Sequence, residues 1–275
     1  MKSPIMLSFL LFFTPFFLHA QTINGIIKDA TNKEVLGYVH IGVLGKNLGT
    51  ISNEKGQFKM DLSYANPNDS LYFSMLGYEA KGFRIGEVKD LETWTVELSP
   101  SSFELKEIVV GQERPSITFG STKASKTTTG WSNNEKTGAE VGTNIKVEKG
   151  LYKMKDLNFH LRFNTADSLL FRLNIYTLKN GLPHTSILQK NIFLTAYKKQ
   201  KWISHDLSAY NLLLDEEVIV TLELVEAYFK ENYHLFFTYA KSATLGATYI
   251  RKSSQAKWEK IPNAGLAFYL NVQEL

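Results

Sequence analysis

Five histidines beyond the apolar N-terminal segment, and a scatter of tryptophans and tyrosines, are the side chains here with chemistry to offer. His40, His160, His184, His205 and His234 lie far apart in the sequence. None falls in an HExxH or HxH spacing, which would turn two imidazoles toward one zinc ion. His205 and Asp206 are neighbours, but successive residues of a strand point to opposite faces, so they do not form a simple dyad. The chain also lacks a GxSxG elbow, a P-loop and a GxGxxG turn. The run "SNEKG" offers oxygens before a glycine, yet "SNEKGQFKMDL" supplies neither the alternating carboxylates nor the late bidentate Glu of a calcium loop. No catalytic, metal-binding or cofactor-binding residue is assigned, and the chain reads as a non-enzyme. Binding chemistry has better material. Sugar recognition uses flat aromatic rings flanked by amides and carboxylates, and Trp202, Trp258, Tyr228 and Tyr249 stand near the ends of expected strands. The same four rings would equally fill a β-sandwich core.

Those rings must be held by strands, because period-two alternation runs through almost the whole chain. "VLGYVHIGVL" carries Val39, Ile41 and Val43 on one face, and "QFKMDL" carries Phe58, Met60 and Leu62. Between them "NLGTISNEKGQF" reads as a hairpin, with Gly56 taking a positive φ at no steric cost. Later segments alternate more strongly. "LNFHLRF" places Leu157, Phe159, Leu161 and Phe163 inside, and "FRLNIY" places Phe171, Leu173 and Ile175 there. "VIVTLELV" and "GLAFYLNV" follow the same rule, while "SAYNLLLDEE" is the nearest approach to a helix.

The order of segments sets the domain plan. Lys2, an apolar run from Ile5 to Leu18 and "HAQ" read as a signal peptide over residues 1–20, too short and interrupted for a span of about 20 residues. No transmembrane segment is expected after its removal. There is no cysteine, hence no disulfide and no lipid-bearing cysteine. The net charge of +4 is too mild to indicate nucleic acid. Between Arg114 and Lys155 eight basic residues face three acidic ones, amid Ser, Thr and Gly, and residues 111–142 read as a linker with room for a short strand around Ile117 to Phe119. Trp131 stands out in that linker and is expected to pack against a neighbouring domain.

The series "GIIKD", "KEVLGYVHI", "LGTISNEKGQF", "DSLYFSMLGYE" and "VELSPSSFELKEIVV" resembles the carboxypeptidase-like regulatory domain. Gly49-Thr50, Asn53, Gly56, Phe58, Phe73-Ser74 and Gly77-Tyr78 carry the likeness, and Val35 replaces a usual proline. The resemblance implies a small transthyretin-like seven-stranded β-sandwich over residues 21–110. Such domains also stand at the front of TonB-dependent outer-membrane receptors. Too little chain follows for such a receptor's barrel. Residues 143–275 are expected to form a jelly-roll-like antiparallel β-sandwich, similar to an uncharacterised envelope segment, so the fold class is all-β throughout.

Taken together, the sequence points to a non-catalytic protein of a Gram-negative cell envelope, periplasmic, outer-membrane-associated or secreted. It would act as a structural or interaction module for an envelope protein or a glycan. "ELKEIVV" would add a strand to a partner or to its own sandwich, with Ile108 and Val110 giving selectivity. The competing reading is an envelope hydrolase with an active site in the C-terminal sandwich, whose acid and base meet only in the fold.

Overall fold

The computed structural model describes residues 22–89, 91, 93–101, 114–132, 137–229, 232–241 and 246–275. The signal peptide expected over residues 1–20, and Ile108 and Val110 of the expected partner strand, lie outside the described residues.

The first unit comprises β1 (Thr22–Asp29), β2 (His40–Val43), β3 (Gly49–Ile51), β4 (Gln57–Asp61), β5 (Ser70–Ser74), β6 (Lys81–Arg84), a single-turn α1 (Ile85–Val88) and β7 (Trp94–Leu98). Two sheets, ordered β4-β1-β7 and β3-β2-β5-β6, make the seven-stranded sandwich. The alternation explains its core: Ile23, Ile27, Ile41, Phe58, Phe73, Val96 and Leu98 are buried. Trp94 meets Phe73 and Phe83 edge-on, with centroids 5.2 and 4.7 Å apart. Such T-shaped contacts add to the area the rings bury. In the hairpin, Asn53 Oδ1 accepts from the amides of Lys55 and Gln57 at 3.0 and 2.9 Å. Gly56 follows at φ +70°, where a side chain would also strike the Ile27 carbonyl.

The second unit runs through β8 (Ser116–Gly120), β9 (Ala124–Ser132), β10 (Glu140–Ile145), β11 (Tyr152–Asn164), β12 (Ser168–Lys179), β13 (Leu182–Ser186) and β14 (Ile192–Tyr197). It continues with β15 (Trp202–Asp206), β16 (Leu213–Leu214), β17 (Val218–Tyr228), β18 (His234–Ala240), β19 (Thr248–Arg251), β20 (Glu259–Ile261) and β21 (Phe268–Glu274). One sheet is ordered β13-β12-β17-β10-β19-β20, with β14 also on β12. The other is ordered β8-β21-β11-β18-β9, with β15 and β16 also on β11. The inner faces interlock through Phe159, Phe171, Phe237 and Phe268, all fully buried. Among the described residues no helix is long and apolar enough to cross a membrane.

Three local expectations are corrected. The linker read over residues 111–142 is largely paired strand: the short strand allowed around Ile117 to Phe119 is β8, along β21, and residues 124–132, given no strand, form β9 along β18. Their Ser/Thr side chains alternate with Ile117, Phe119 and Trp131, and pairing costs a polar outer face nothing. Trp131 packs against Phe237 inside its own sandwich, centroids 5.9 Å apart, rather than against another domain. Phe163 is 51% exposed instead of inside, because the β11–β18 register shifts between Leu161 and Phe163. A β-bulge reverses the alternation beyond it.

The two sandwiches meet through backbone as well as side chains. Gly45 N donates to Gln255 O at 2.7 Å, and Gln255 Nε2 donates to Ser74 Oγ at 2.7 Å. Gly42 and Gly49 lie against the carbonyl of Ser254; a Cβ on Gly49 would stand 2.0 Å from that oxygen. Gly49→Ala must therefore push the sandwiches apart or bend β3. It is expected to lower stability by roughly 1–3 kcal/mol, read from urea unfolding of the full chain. Wild-type stability in that variant would mean that the contact yields at no cost.

Candidate functional site

Two polar faces of the second sandwich are built on central strands, and they have opposite fates. The outward positions of β12, β17, β10 and β19 carry Arg172, Asn174, Glu223, Thr221, Glu140 and Arg251. A sheet face of this kind normally meets water. Here the first sandwich covers it, and Arg172, Glu223, Glu140 and Thr221 are at most 1% exposed. Arg172 Nε donates to Glu223 Oε2 at 2.8 Å while its Nη1 donates to the Tyr38 carbonyl at 2.8 Å. His40 Nε2 lies 2.9 Å from the same Glu223 oxygen. Glu140 accepts from Asn174 and Tyr176 at 3.0 Å each, and also from Thr221 and Arg251. Trp258 closes one side, with the Arg251 guanidinium 4.8 Å from its ring centre.

Electrostatics fixes the protonation of this junction. Burial lowers the His40 pKa, the positive charge of Arg172 lowers it further, and together they outweigh Glu223. Burial alone would raise the Glu223 carboxyl, but Arg172 and His40 hold it well below the usual carboxylate range. The junction thus contains a neutral imidazole between an ionised carboxylate and guanidinium groups.

The second face lies on the opposite sheet and is open. His160 sits across from Trp202 on the β11–β15 ladder, and Asn158 sits across from Tyr269 on the β11–β21 ladder. The rings of Trp202 and His160 meet at 5.0 Å, and those of Trp202 and Tyr269 at 5.4 Å. Trp202 is 40% exposed, whereas Asn158 is buried. A polar row continues from there: Asn158 and Asn271 both donate to Asp156 Oδ1, the latter at 2.9 Å, and Thr118 Oγ1 donates to Asn271 Oδ1 at 2.7 Å. Thr238 supports His160 from below, 2.7 Å from Nδ1. Burial, then Lys201 and Arg162, lower the His160 pKa. The ring is neutral at pH 7, with a hydrogen-bonding nitrogen to spare.

The four aromatic residues singled out from the sequence do not converge. Trp202 stands on this open face. Tyr228 is exposed at the end of β17, in a shallow cleft with Asn53 and Glu226, where its hydroxyl bonds Glu226. Tyr249 is 1% exposed and packs with Ile219 and Ala247 on the same covered outward face of β19 as Arg251, so it fills space and presents nothing to a ligand. Trp258 caps the junction. Sequence reasoning missed Tyr269, Asn158, Asn271 and Asp156; the alternating "DLNFH" and "FYLNV" held the signal, a polar or aromatic side chain at each outward step, with one amide in each segment. Among the described residues no group of three or more His, Cys, Asp or Glu could hold a metal ion.

With both faces placed, the first sandwich can be compared with known domains: residues 23–110 match the family model of the CarboxypepD_reg-like domain. This segment is a CarboxypepD_reg-like domain. Gly49, Asn53 and Gly56 of that domain do the structural work described above, and its β2 and the loop before it carry His40 and Tyr38 into the junction. No curated protein matches the chain. Among solved structures, the infectious bursal disease virus VP2 subviral particle aligns at 8% identity and a TM-score of 0.25, over 92% of this chain and 64% of that one. The chain thus spans under two thirds of that protein, and so slight a likeness says nothing about fold or function.

The junction of the CarboxypepD_reg-like domain with the second sandwich gives two linked expectations. Glu223→Ala strands the Arg172 charge and should cost about 3–5 kcal/mol, against less than about 1 kcal/mol for Lys33→Ala at the exposed Lys33–Glu97 pair. Acid should weaken the docked state. Above the ordinary histidine value of 6.5, His40 is neutral whether docked or free, so it contributes no pH dependence. Below it the undocked His40 takes a proton that the docked one does not, and stability falls with pH. Glu223 adds a second loss in the same direction below its ordinary value of 4.5. Thermal unfolding between about pH 7.5 and about pH 5 should show the first loss, and His40→Gln should flatten it. An equal slope in that variant would place the effect elsewhere.

Proposed function

We propose that the protein is an exported, non-catalytic binding protein of the cell envelope that holds a glycan on the open face of its second sandwich. The observation that carries this reading is the exposed Trp202 ring beside Tyr269 and His160, above a row of amides and a carboxylate. A pyranose presents an apolar C–H face and an equatorial ring of hydroxyls. Stacking on Trp202 would satisfy the first, and Asp156, Asn271 and the free nitrogen of His160 the second, with the buried Asn158 amide holding Asp156 in place. Asp156, Asn158 and Asn271 already hydrogen-bond one another and His160 is held by Thr238, so little side-chain freedom is lost on binding. The CarboxypepD_reg-like domain, locked to the opposite sheet, supports this reading as a rigid mount that leaves the Trp202 face clear.

The hydrolase reading draws on one observation: Asp156 and Asp206 are directly opposed on β11 and β15. A glycosidase pair needs one carboxyl raised so that it can protonate a leaving group. Asp206 is displaced the other way, held low by the Ser208 amide and hydroxyl. The pair also stands on an open sheet, not in a cleft that excludes water. Binding is favoured.

Trp202→Ala should leave the unfolding midpoint within about 0.5 kcal/mol of wild type, as for a partly exposed side chain, and weaken binding of oligosaccharides roughly tenfold or more on a glycan array followed by calorimetry. Unchanged binding would remove Trp202 from the site. Export has its own measurement: intact mass of protein from the envelope fraction should correspond to a chain beginning at Gln21, and full-length protein confined to the cytoplasm would defeat the envelope assignment.

A further inference from the structure

The bulge that turns Phe163 outward extends the Trp202 face into something longer and more positive. Phe163 pairs with Phe236 across β11 and β18, and their rings meet edge-on at 6.2 Å. Phe236 and Thr238 share a face of β18, and Thr238 holds His160, so Phe236 and Phe163 lie on the same face as the Trp202 platform. Opposite Phe236, β9 has Gly130, which leaves the ring uncrowded on that side. His234 stacks on Phe236 at 6.2 Å and 24°. An aromatic stripe therefore runs from Tyr269 through Trp202 and His160 to Phe163, Phe236 and His234.

This stripe is not what packing alone would select. Continued alternation would have sent Phe163 into the core, where burying a phenyl ring is worth about 1.5–3 kcal/mol. The bulge forgoes that gain and presents the ring to solvent. Bulges conserve no core contact of their own and commonly serve to re-aim a side chain.

Two cations flank the exposed ring. The Arg162 guanidinium carbon is 5.7 Å and the Lys201 ammonium 5.9 Å from the centre of Phe163. Lys201 also donates to the Arg162 carbonyl at 2.7 Å, which fixes its direction. Among the described residues neither side chain makes an ion pair. Both charges reach back to His160 electrostatically, so the positive potential covers the middle of the stripe. The carboxylates of the face, Asp156 and Asp206, lie at its other end.

We infer that the ligand of this face is an extended acidic polysaccharide, a uronate chain, laid along β11 with sugars stacked on Trp202 and Phe163 and a carboxylate held by Arg162 and Lys201. This rests on the glycan-binding reading above and adds the charge and length of the ligand. Trp202 is paired with His160, three residues before Phe163 on β11, about 10 Å at roughly 3.3 Å per residue. One monosaccharide cannot touch both. Guanidinium groups pair with carboxylates through parallel hydrogen bonds, so Arg162 suits a uronate better than a neutral sugar.

The test is calorimetric titration of the full chain with hexamers of polyguluronate and polygalacturonate, and with neutral hexamers of cellulose and laminarin. A uronate hexamer should bind roughly tenfold tighter than either neutral one, and weaken several-fold between about 0.05 M and about 0.5 M salt. Arg162→Gln with Lys201→Gln should abolish that preference and the salt dependence while leaving neutral binding alone. Trp202→Ala should weaken both classes. Equal, salt-insensitive binding of neutral and uronate hexamers would overturn the acidic assignment and leave the glycan-binding reading standing. Absence of binding to every hexamer by the wild-type protein would overturn both. Because Arg162 and Lys201 project at the surface, unchanged unfolding curves in the double variant will separate lost recognition from lost fold.

Discussion

Everything in this molecule is arranged around the Arg172–Glu223 pair, whose side chains are almost wholly buried. Two ions taken from water cost several kcal/mol each, and only close geometry with further hydrogen bonds offsets that. Here the offset comes from the other sandwich: the Tyr38 carbonyl takes one guanidinium N–H and His40 sits on the carboxylate. Both ions belong to the second sandwich and pair there, and the first supplies the two further partners. The junction is therefore specific, since a shifted docking would leave the buried pair without its partners from the first sandwich. Glycines at 42 and 49 allow the close approach that shuts water out.

This constraint also assigns the two faces of the second sandwich their roles. The sheet built on β12, β17 and β10 spends its outward polar side chains on the junction. The sheet built on β21, β11 and β18 keeps its own for solvent, with Trp202, Phe163 and the amide row displayed. A flat β-sheet surface has few ways to grip a ligand without a cleft. Stacked rings and pre-bonded amides are among them, because both are already ordered before the ligand arrives.

How much of this the sequence made legible depends on which neighbour sets each position. Period-two alternation reports only the strand's own pleat, and it placed Phe58, Phe159, Phe171 and Phe268 in the core correctly. It cannot report a bulge, so Phe163 came out on the wrong face. Nor does it report what covers an outward position: Arg172 and Glu223 look like ordinary solvated residues until the first sandwich lies on them. Gly49 read as a hairpin glycine, and its contact with the Ser254 carbonyl, some 200 positions away, has no local signature. Residues 124–132 read as linker because strands with one wet face are rich in Ser, Thr and Lys, as tethers are. The sugar-platform candidates were chosen by residue type and nearness to strand ends, neither of which reports the face a ring takes, so of the four only Trp202 landed on the open Tyr269–His160 face.

The placing of β21 governs how the chain comes to be folded. It lies between β8 and β11, bonded to both, although it is made after every other strand described. Thr118 and Asn271, hydrogen-bonded across β8 and β21, are separated by 153 residues of chain. Loop closure of that length adds entropy that must be lost before the contact returns anything, so pairing is slow. Until Phe268–Glu274 leaves the ribosome, β8 has no ladder and β11 lacks one of its neighbours. The junction with the first sandwich draws on β19 as well, through Arg251. The CarboxypepD_reg-like domain can therefore collapse early, but it waits for nearly the whole chain before it has anything to dock against.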